Sequence, residues 1–304
     1  MSTPPTINLR FTGDYALAAS VSLAASAAFV DGLRRGPDGE SEVLDLAFPL
    51  EGSWHPVGVR VHQQHNGSVS AHLLTNPGSA MTHEVRATLE RMLSLDVDGT
   101  GFADVAARDN VVAGLRQRHC GIRPVLLPSP YEAAARAIIG HQLPVRQAAA
   151  ITARIAADHG VPVEVGERVM TTFPAPAQLI HLPAVRGLAA RKVEQLRVLG
   201  NAAADGWLSS ARLRALPRDE ALAELQQLPG IGPFSAELVM MRGVGEPDAF
   251  PLLEKRLHRA MAAAYDLGEA PDLPTLERIA ERWRPYRNWA GLLLRNFQPV
   301  GETA

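Results

Sequence analysis

The sequence predicts an α+β fold in two parts: an N-terminal antiparallel-sheet domain with helices, then an all-α domain. Three observations carry that expectation. Val57, Val59 and Val61 alternate with polar neighbours, as strands with one buried face do. Asn66-Gly67 joins two such runs, and that dipeptide readily takes the φ > 0 backbone of a two-residue hairpin turn. From about Pro130 the alternation gives way to short, alanine-rich segments at helical spacing, separated by Pro and Gly.

In order along the chain, Ala16 to Arg35 reads as a helix. Ser41–Phe48 and Val57–Gln64 read as strands, the run after Asn66-Gly67 as a hairpin partner, and Met81–Leu93 as a helix. The second half is expected to hold seven or eight helices, among them segments opening near Tyr131, Val145, Arg191, Arg218, Phe234, Leu253 and Leu276. The boundary is drawn between residues 1–120 and 121–304.

A chain of 304 residues, 46% apolar and 20% charged, has material for about two cores. Its net charge of -2 argues against a polybasic protein but leaves room for a local basic face. Cys120 is the single cysteine. One thiol makes no internal disulfide, zinc cage or iron-sulfur cluster, and it fits a reducing compartment. The N-terminus lacks the basic-then-apolar pattern of a signal peptide, and ALAASVSLAASAAFV is too rich in small residues and serine for a membrane span. The expectation is a cytoplasmic protein with no membrane contact. Asp96, Asp98, Thr100, Gly101 and Asp104 resemble part of a calcium loop, but Ala107 stands where the bidentate acid belongs, so a polar turn is expected. His62, His65 and His72 lack a matching acid or cysteine set for a metal site.

The informative stretch is LPGIGP, Leu228 to Pro233. Glycine permits a tight joint between helices, and Pro233 suits the first turn of the next one. Free N–H groups at that helix start form an anion site that a backbone phosphate would fit. A turn with no ligand would use the same residues.

With QQLPGIGPFSAELVMMRGVGEPDAF in view, the chain resembles the helix-hairpin-helix (HhH-GPD) DNA glycosylases of the AlkA type. PSPYEAAARAIIGHQL, FPAPAQLIHLP, RKVEQLRVLGNAAADG and AERWRPYRNWAGLLL follow the family's order, and the resemblance covers roughly residues 7 to 300. It implies an N-terminal sheet domain, a helical glycosylase domain with its hairpin at 225–235, and a monomer that acts on damaged bases in double-stranded DNA. It also implies flipping of the damaged base and hydrolysis of its N-glycosidic bond. Leu228, Gly230, Ile231, Gly232 and Ser235 would hold phosphates, with Lys255 and Arg256 beside them. The basic face would extend to Arg242, His258 and Arg259. Gln142 or Leu143 would fill the gap left by the flipped base. Carbonyls of Gln226, Leu228 and Ile231 match those that hold a monovalent cation, sodium or potassium, in the family. No cofactor is otherwise required.

Glu254 falls where the family carries its catalytic aspartate, one methylene longer. It could work in an adjusted pocket, work poorly, or mark a DNA-binding scaffold without the reaction. Asp248 is expected to bond the turn before Phe250 instead. Phe234 stands where strand-nicking relatives carry a lysine, so hydrolysis alone is implied. The base pocket is expected from Phe234, Leu238 and Arg295, replacing tryptophan, tyrosine and tryptophan. The relatives' substrates point to an alkylated base. An arginine would repel a cationic one, so either Arg295 points elsewhere or the base is a neutral, deaminated or oxidised one.

Overall fold

The computed structural model describes residues 5–25, 33–35, 42–75, 78, 81–268 and 271–297. Strands β1 (Thr6–Leu9), β2 (Leu33–Arg35), β3 (Glu42–Pro49), β4 (Pro56–Gln63) and β5 (Val69–Leu73) form one antiparallel sheet in the order β1-β5-β4-β3-β2. Helices α1 (Leu17–Ala25) and α2 (Thr82–Met92) accompany it, and the core there gathers Ile7, Leu44, Phe48, Val57, Val59, Val85 and Leu89. The expected helix over Ala16–Arg35 is therefore shorter. Its last three residues pair with Leu44, Val43 and Glu42, because an open sheet edge offers their backbone ready partners. Residues 26–32 of that expectation lie outside the described ones.

Then follow α3 (Phe102–Arg108), α4 (Asn110–Arg118), α5 (Pro130–Gly140) and α6 (Val145–His159). Ser129 caps α5 by accepting from the Glu132 amide, with Pro130 in the first turn. A second hairpin, β6 (Pro162–Val165) with β7 (Arg168–Thr171), interrupts the half expected to be all-helical. It leans on β4: a Cβ at Gly58 would lie 2.7 Å from a methyl of Val163. The rest is α7 (Pro176–Leu179), α8 (Ala190–Ala204), α9 (Ser210–Ala215), α10 (Arg218–Leu225), α11 (Pro233–Val239), a π-turn over Met240–Val244, α12 (Lys255–Ala264), α13 (Leu273–Ala280) and α14 (Arg287–Phe297). One core joins α5, α6, α8, α10 and α11. Another joins Phe102, Val112 and Leu115 of α3 and α4 to Leu257, Trp283 and Leu293 near the C-terminus. The stretch compared with a calcium loop is a polar turn in which the Asp98 carboxylate accepts from Thr12 and Thr100. No helix among the described residues is long and apolar enough to cross a membrane.

Two buried arginines sew the halves together. Arg91 of α2 donates to the carbonyls of Leu127, Pro128 and Gly243, the last inside the π-turn. Arg123 donates to the carbonyls of Thr12, Asp14, Ser94 and Val97, and its guanidinium stands 5.0 Å from the Trp289 ring centre. Removing the Arg91 head would strand three inward carbonyls. Arg91→Met is expected to cost about 3 kcal/mol or more, read from the midpoint of urea unfolding.

Candidate active site

Leu228 and Ile231 are buried and peg the hairpin into the helical core, while Gly230 and Gly232 face outward. The Ile231 amide donates to the Leu228 carbonyl at 3.0 Å, which closes the turn. Gly230 has φ +91, a conformation other residues resist, and a Cβ there would meet the Gln195 side chain at 2.8 Å. Gly232 differs. Its φ is -91, and a Cβ there would meet nothing within 4 Å. The fold itself does not require glycine at 232; an approaching ligand would. Ser235 does not share that face: at 9% exposure it is turned inward in the first turn of α11, where the helix packs on the core.

Gln142 and Leu143 lie in the joint between α5 and α6. Gln142 is exposed with φ +56, and Leu143 packs partly against the helical core. Lys192 reaches over from α8 and donates to the carbonyls of Ile139 and His141, a cation at the C-terminal end of α5. Sequence reasoning missed this support, since nothing marks one lysine near a helix start as a brace.

Glu254 is the N-cap of α12. One carboxylate oxygen accepts from the Arg256 amide at 3.2 Å, and the other lies 3.5 Å from Nη1 of Arg295 on α14. Both side chains are about six-sevenths buried, at 15% and 16% exposure. Lys255, Arg256 and Arg259 are exposed on α12 beside the carboxylate. His258 stacks on Phe250 instead, and Arg242, expected on the basic face, lines a cavity.

That cavity lies at the seam of the two halves. It is lined by Ser20, Leu23 and residues 124–126, and by Met241, Arg242, Asn288, Leu292, Arg295 and Asn296. Burial, reinforced by repulsion from Arg295, pulls the Arg242 pKa down to about 10. Of the three residues expected to form a base pocket, Arg295 is on the wall and the other two are not. Phe234 is 39% exposed in the first turn of α11, and Leu238 stands half-buried on the same helix.

The loop that carries Glu254 is tethered from behind. The Glu237 carboxylate lies beside the Leu252 backbone amide. Asp248 pairs with Arg284 at 2.5 Å and Arg287 at 2.9 Å, so its carboxylate bonds C-terminal arginines where a bond within its own turn was expected. Burial raises the pKa of Glu237 and Glu246 above the ordinary carboxylate range, although Arg218 stands near both. A lone acid in the apolar run FSAELVMM was the available sign of Glu237.

No family model matches the chain. It is 30% identical over 205 residues to a probable bifunctional transcriptional activator/DNA repair enzyme AlkA of Mycobacterium tuberculosis, covering 67% of this chain and 40% of that protein. The chain thus spans less than half the length of that relative. It is 31% identical over 201 residues to DNA-3-methyladenine glycosylase 2 of Escherichia coli, covering 62% of this chain and 66% of that protein. Among solved structures, the 3-methyladenine DNA-glycosylase from Archaeoglobus fulgidus matches with a TM-score of 0.79 at 22% identity, over 99% of this chain and 100% of that one.

Two outcomes follow from the geometry. Gly230→Ala should cost about 1–2 kcal/mol in urea unfolding, and Gly232→Ala no more than about 0.5 kcal/mol. The raised pKa of Glu237 means that the folded state holds its proton more tightly than the unfolded one. Its contribution to stability is full below about pH 4.3 and is lost as pH rises through the folded value. Glu237→Gln, which mimics the protonated form, should therefore gain in melting temperature over wild type as pH rises from about 4 to 7.

Proposed function

We infer that this chain, a member of the helix-hairpin-helix DNA glycosylase superfamily of the AlkA type, is a monofunctional glycosylase that excises a damaged base from duplex DNA. The observation that carries the reading is Glu254. A largely buried carboxylate is fixed at a helix start, beside the exposed Lys255 and Arg256 and paired with Arg295, which lines the cavity. The base named for the relatives is 3-methyladenine.

Each step has a residue to perform it. The hairpin backbone at Gly230 and Gly232, with Lys255 and Arg256, holds phosphates of one strand. The carbonyls of Gln226, Leu228 and Ile231 would hold a monovalent cation, which supplies a further positive contact to a phosphate. The Leu228 carbonyl already accepts from Ile231, and its second lone pair suits that role. Gln142, braced from behind by Lys192, enters the stack as the damaged nucleotide turns out. The base enters the cavity and its sugar comes to rest against Glu254.

The C1′–N bond then breaks and its electron pair leaves with the base. Positive charge develops on the sugar, where the Glu254 carboxylate stabilises it. Water adds to C1′ and gives its proton to the carboxylate, leaving an abasic site. Phe234 offers no amine to attack C1′, so the strand is not nicked. A cytoplasmic monomer is part of the same proposal.

Single-turnover base release from duplexes carrying methylated, deaminated and oxidised bases tests this reading. Glu254→Gln should slow release about a hundredfold or more while duplex binding persists. Tight binding by wild type with no release of any base would leave a lesion-binding scaffold and sink the enzyme reading. Gly232→Ala puts a methyl group in the open space at the hairpin. It should weaken duplex binding and lower the slope of log affinity against log salt by about one.

A further inference from the structure

The cavity wall has a composition that selects among damaged bases. Among the described residues that line it there is no aromatic ring, and the charged ones are two arginines, Arg242 and Arg295. Asn288 and Asn296 line it too, and each donates its amide to a backbone carbonyl, of Glu246 and Leu292. Glu254 touches one edge of this group through Arg295, and Arg256 adds positive charge nearby. The net charge around the cavity is therefore positive. A cationic base placed there meets repulsion, and finds none of the aromatic faces that stabilise a buried cation.

The charges also have an order. Glu254 and Arg295 set a carboxylate and a guanidinium 3.5 Å apart, both largely out of water. When the glycosidic bond of an uncharged base breaks, the sugar becomes positive and the departing base negative. A carboxylate toward the sugar and a guanidinium toward the base match that separation. An N-alkylated cationic purine departs as a neutral molecule, so the guanidinium gains nothing from its departure.

From this arrangement, and resting on the glycosylase reading above, we propose the substrate class: a damaged base that is uncharged and carries ring carbonyl oxygens, as deaminated and oxidised bases do. Arg295, with Arg242 behind it, donates to a carbonyl oxygen of the flipped base and takes up the negative charge as the C1′–N electron pair leaves with it. A guanidinium pairs well with two adjacent acceptors on a base edge. The base then collects a proton from solvent, and water supplies the hydroxyl to C1′. Arg295 is in this role a specificity-determining residue.

The test is single-turnover release from duplexes that contain hypoxanthine, 8-oxoguanine or 7-methylguanine, with wild type, Arg295→Gln and Arg295→Lys. Wild type should release at least one of the two uncharged bases at least about tenfold faster than the cationic 7-methylguanine. Arg295→Gln should cut that release on the order of a hundredfold and lower its ratio to 7-methylguanine release. Arg295→Lys should recover part of the ratio, since the charge returns without the fork. Release of 7-methylguanine by wild type as fast as or faster than that of the uncharged bases overturns the proposal and leaves the glycosylase reading standing. No release of any base from duplexes that wild type binds overturns both. The wild-type ratio decides the matter even if a variant fails to fold.

Discussion

Arg91 is a charge taken almost wholly out of solvent, and much of the seam between the two halves is arranged to satisfy it. Its guanidinium is committed to carbonyls of Leu127, Pro128 and Gly243. A buried charge tolerates little freedom in its partners, because each lost hydrogen bond exposes it to an apolar surround. So the link before α5 and the π-turn after α11 keep one spacing. Gly243 makes that spacing possible: a Cβ there would lie 2.5 Å from the Cα of Pro130. The cavity opens at this seam, lined by residues 124–126 and by Met241 and Arg242. Its shape is thus set by a contact that no ligand touches.

The same logic runs outward to Glu254. Its loop lies between α11 and α12, and loops drift unless they are tied. Here Glu237 lies beside the Leu252 amide, and Asp248 is clamped by two arginines near the start of α14. Asn288, on α14 itself, donates to the Glu246 carbonyl. The carboxylate is therefore referenced to α11 before it and to α14 beyond it. The proposed reaction needs this, since a reacting group displaced by about 1 Å can lose a hundredfold in rate. The buried acids Glu237 and Glu246 are the cost of that fixation, and they stand behind the site and not in it.

Much of this was legible in the sequence, and the failures are instructive. The antiparallel sheet, the helical half and the tight joint at Leu228–Pro233 follow from local chemistry: alternation, Asn-Gly, and paired glycine and proline. The β6–β7 hairpin was missed because two four-residue strands carry too little periodicity to stand out among helices. Residues 33–35 were read into a helix because pairing with β3 is a tertiary choice that three residues do not announce. Arg91 was invisible for a related reason. Its farthest carbonyl partner is 152 residues away, and a lone arginine on an amphipathic helix looks like surface. Ser235 misled because its place in the motif speaks of phosphate, while the packing of α11 decides which way it faces.

The sharpest lesson is in two departures that the sequence shows separately. Glutamate in place of the family's aspartate reads as a loss of fit, and arginine in place of a tryptophan reads as a loss of stacking. In the folded chain they meet across 3.5 Å. The added methylene lets one carboxylate oxygen reach Arg295 while the other stays on the Arg256 amide. A shorter side chain would have to choose between capping the helix and pairing with the guanidinium. On the family resemblance, the two changes are then one change, which exchanges an aromatic wall for an ion pair. An aromatic wall stabilises charge already on a base, whereas an ion pair stabilises charge that appears as the bond breaks.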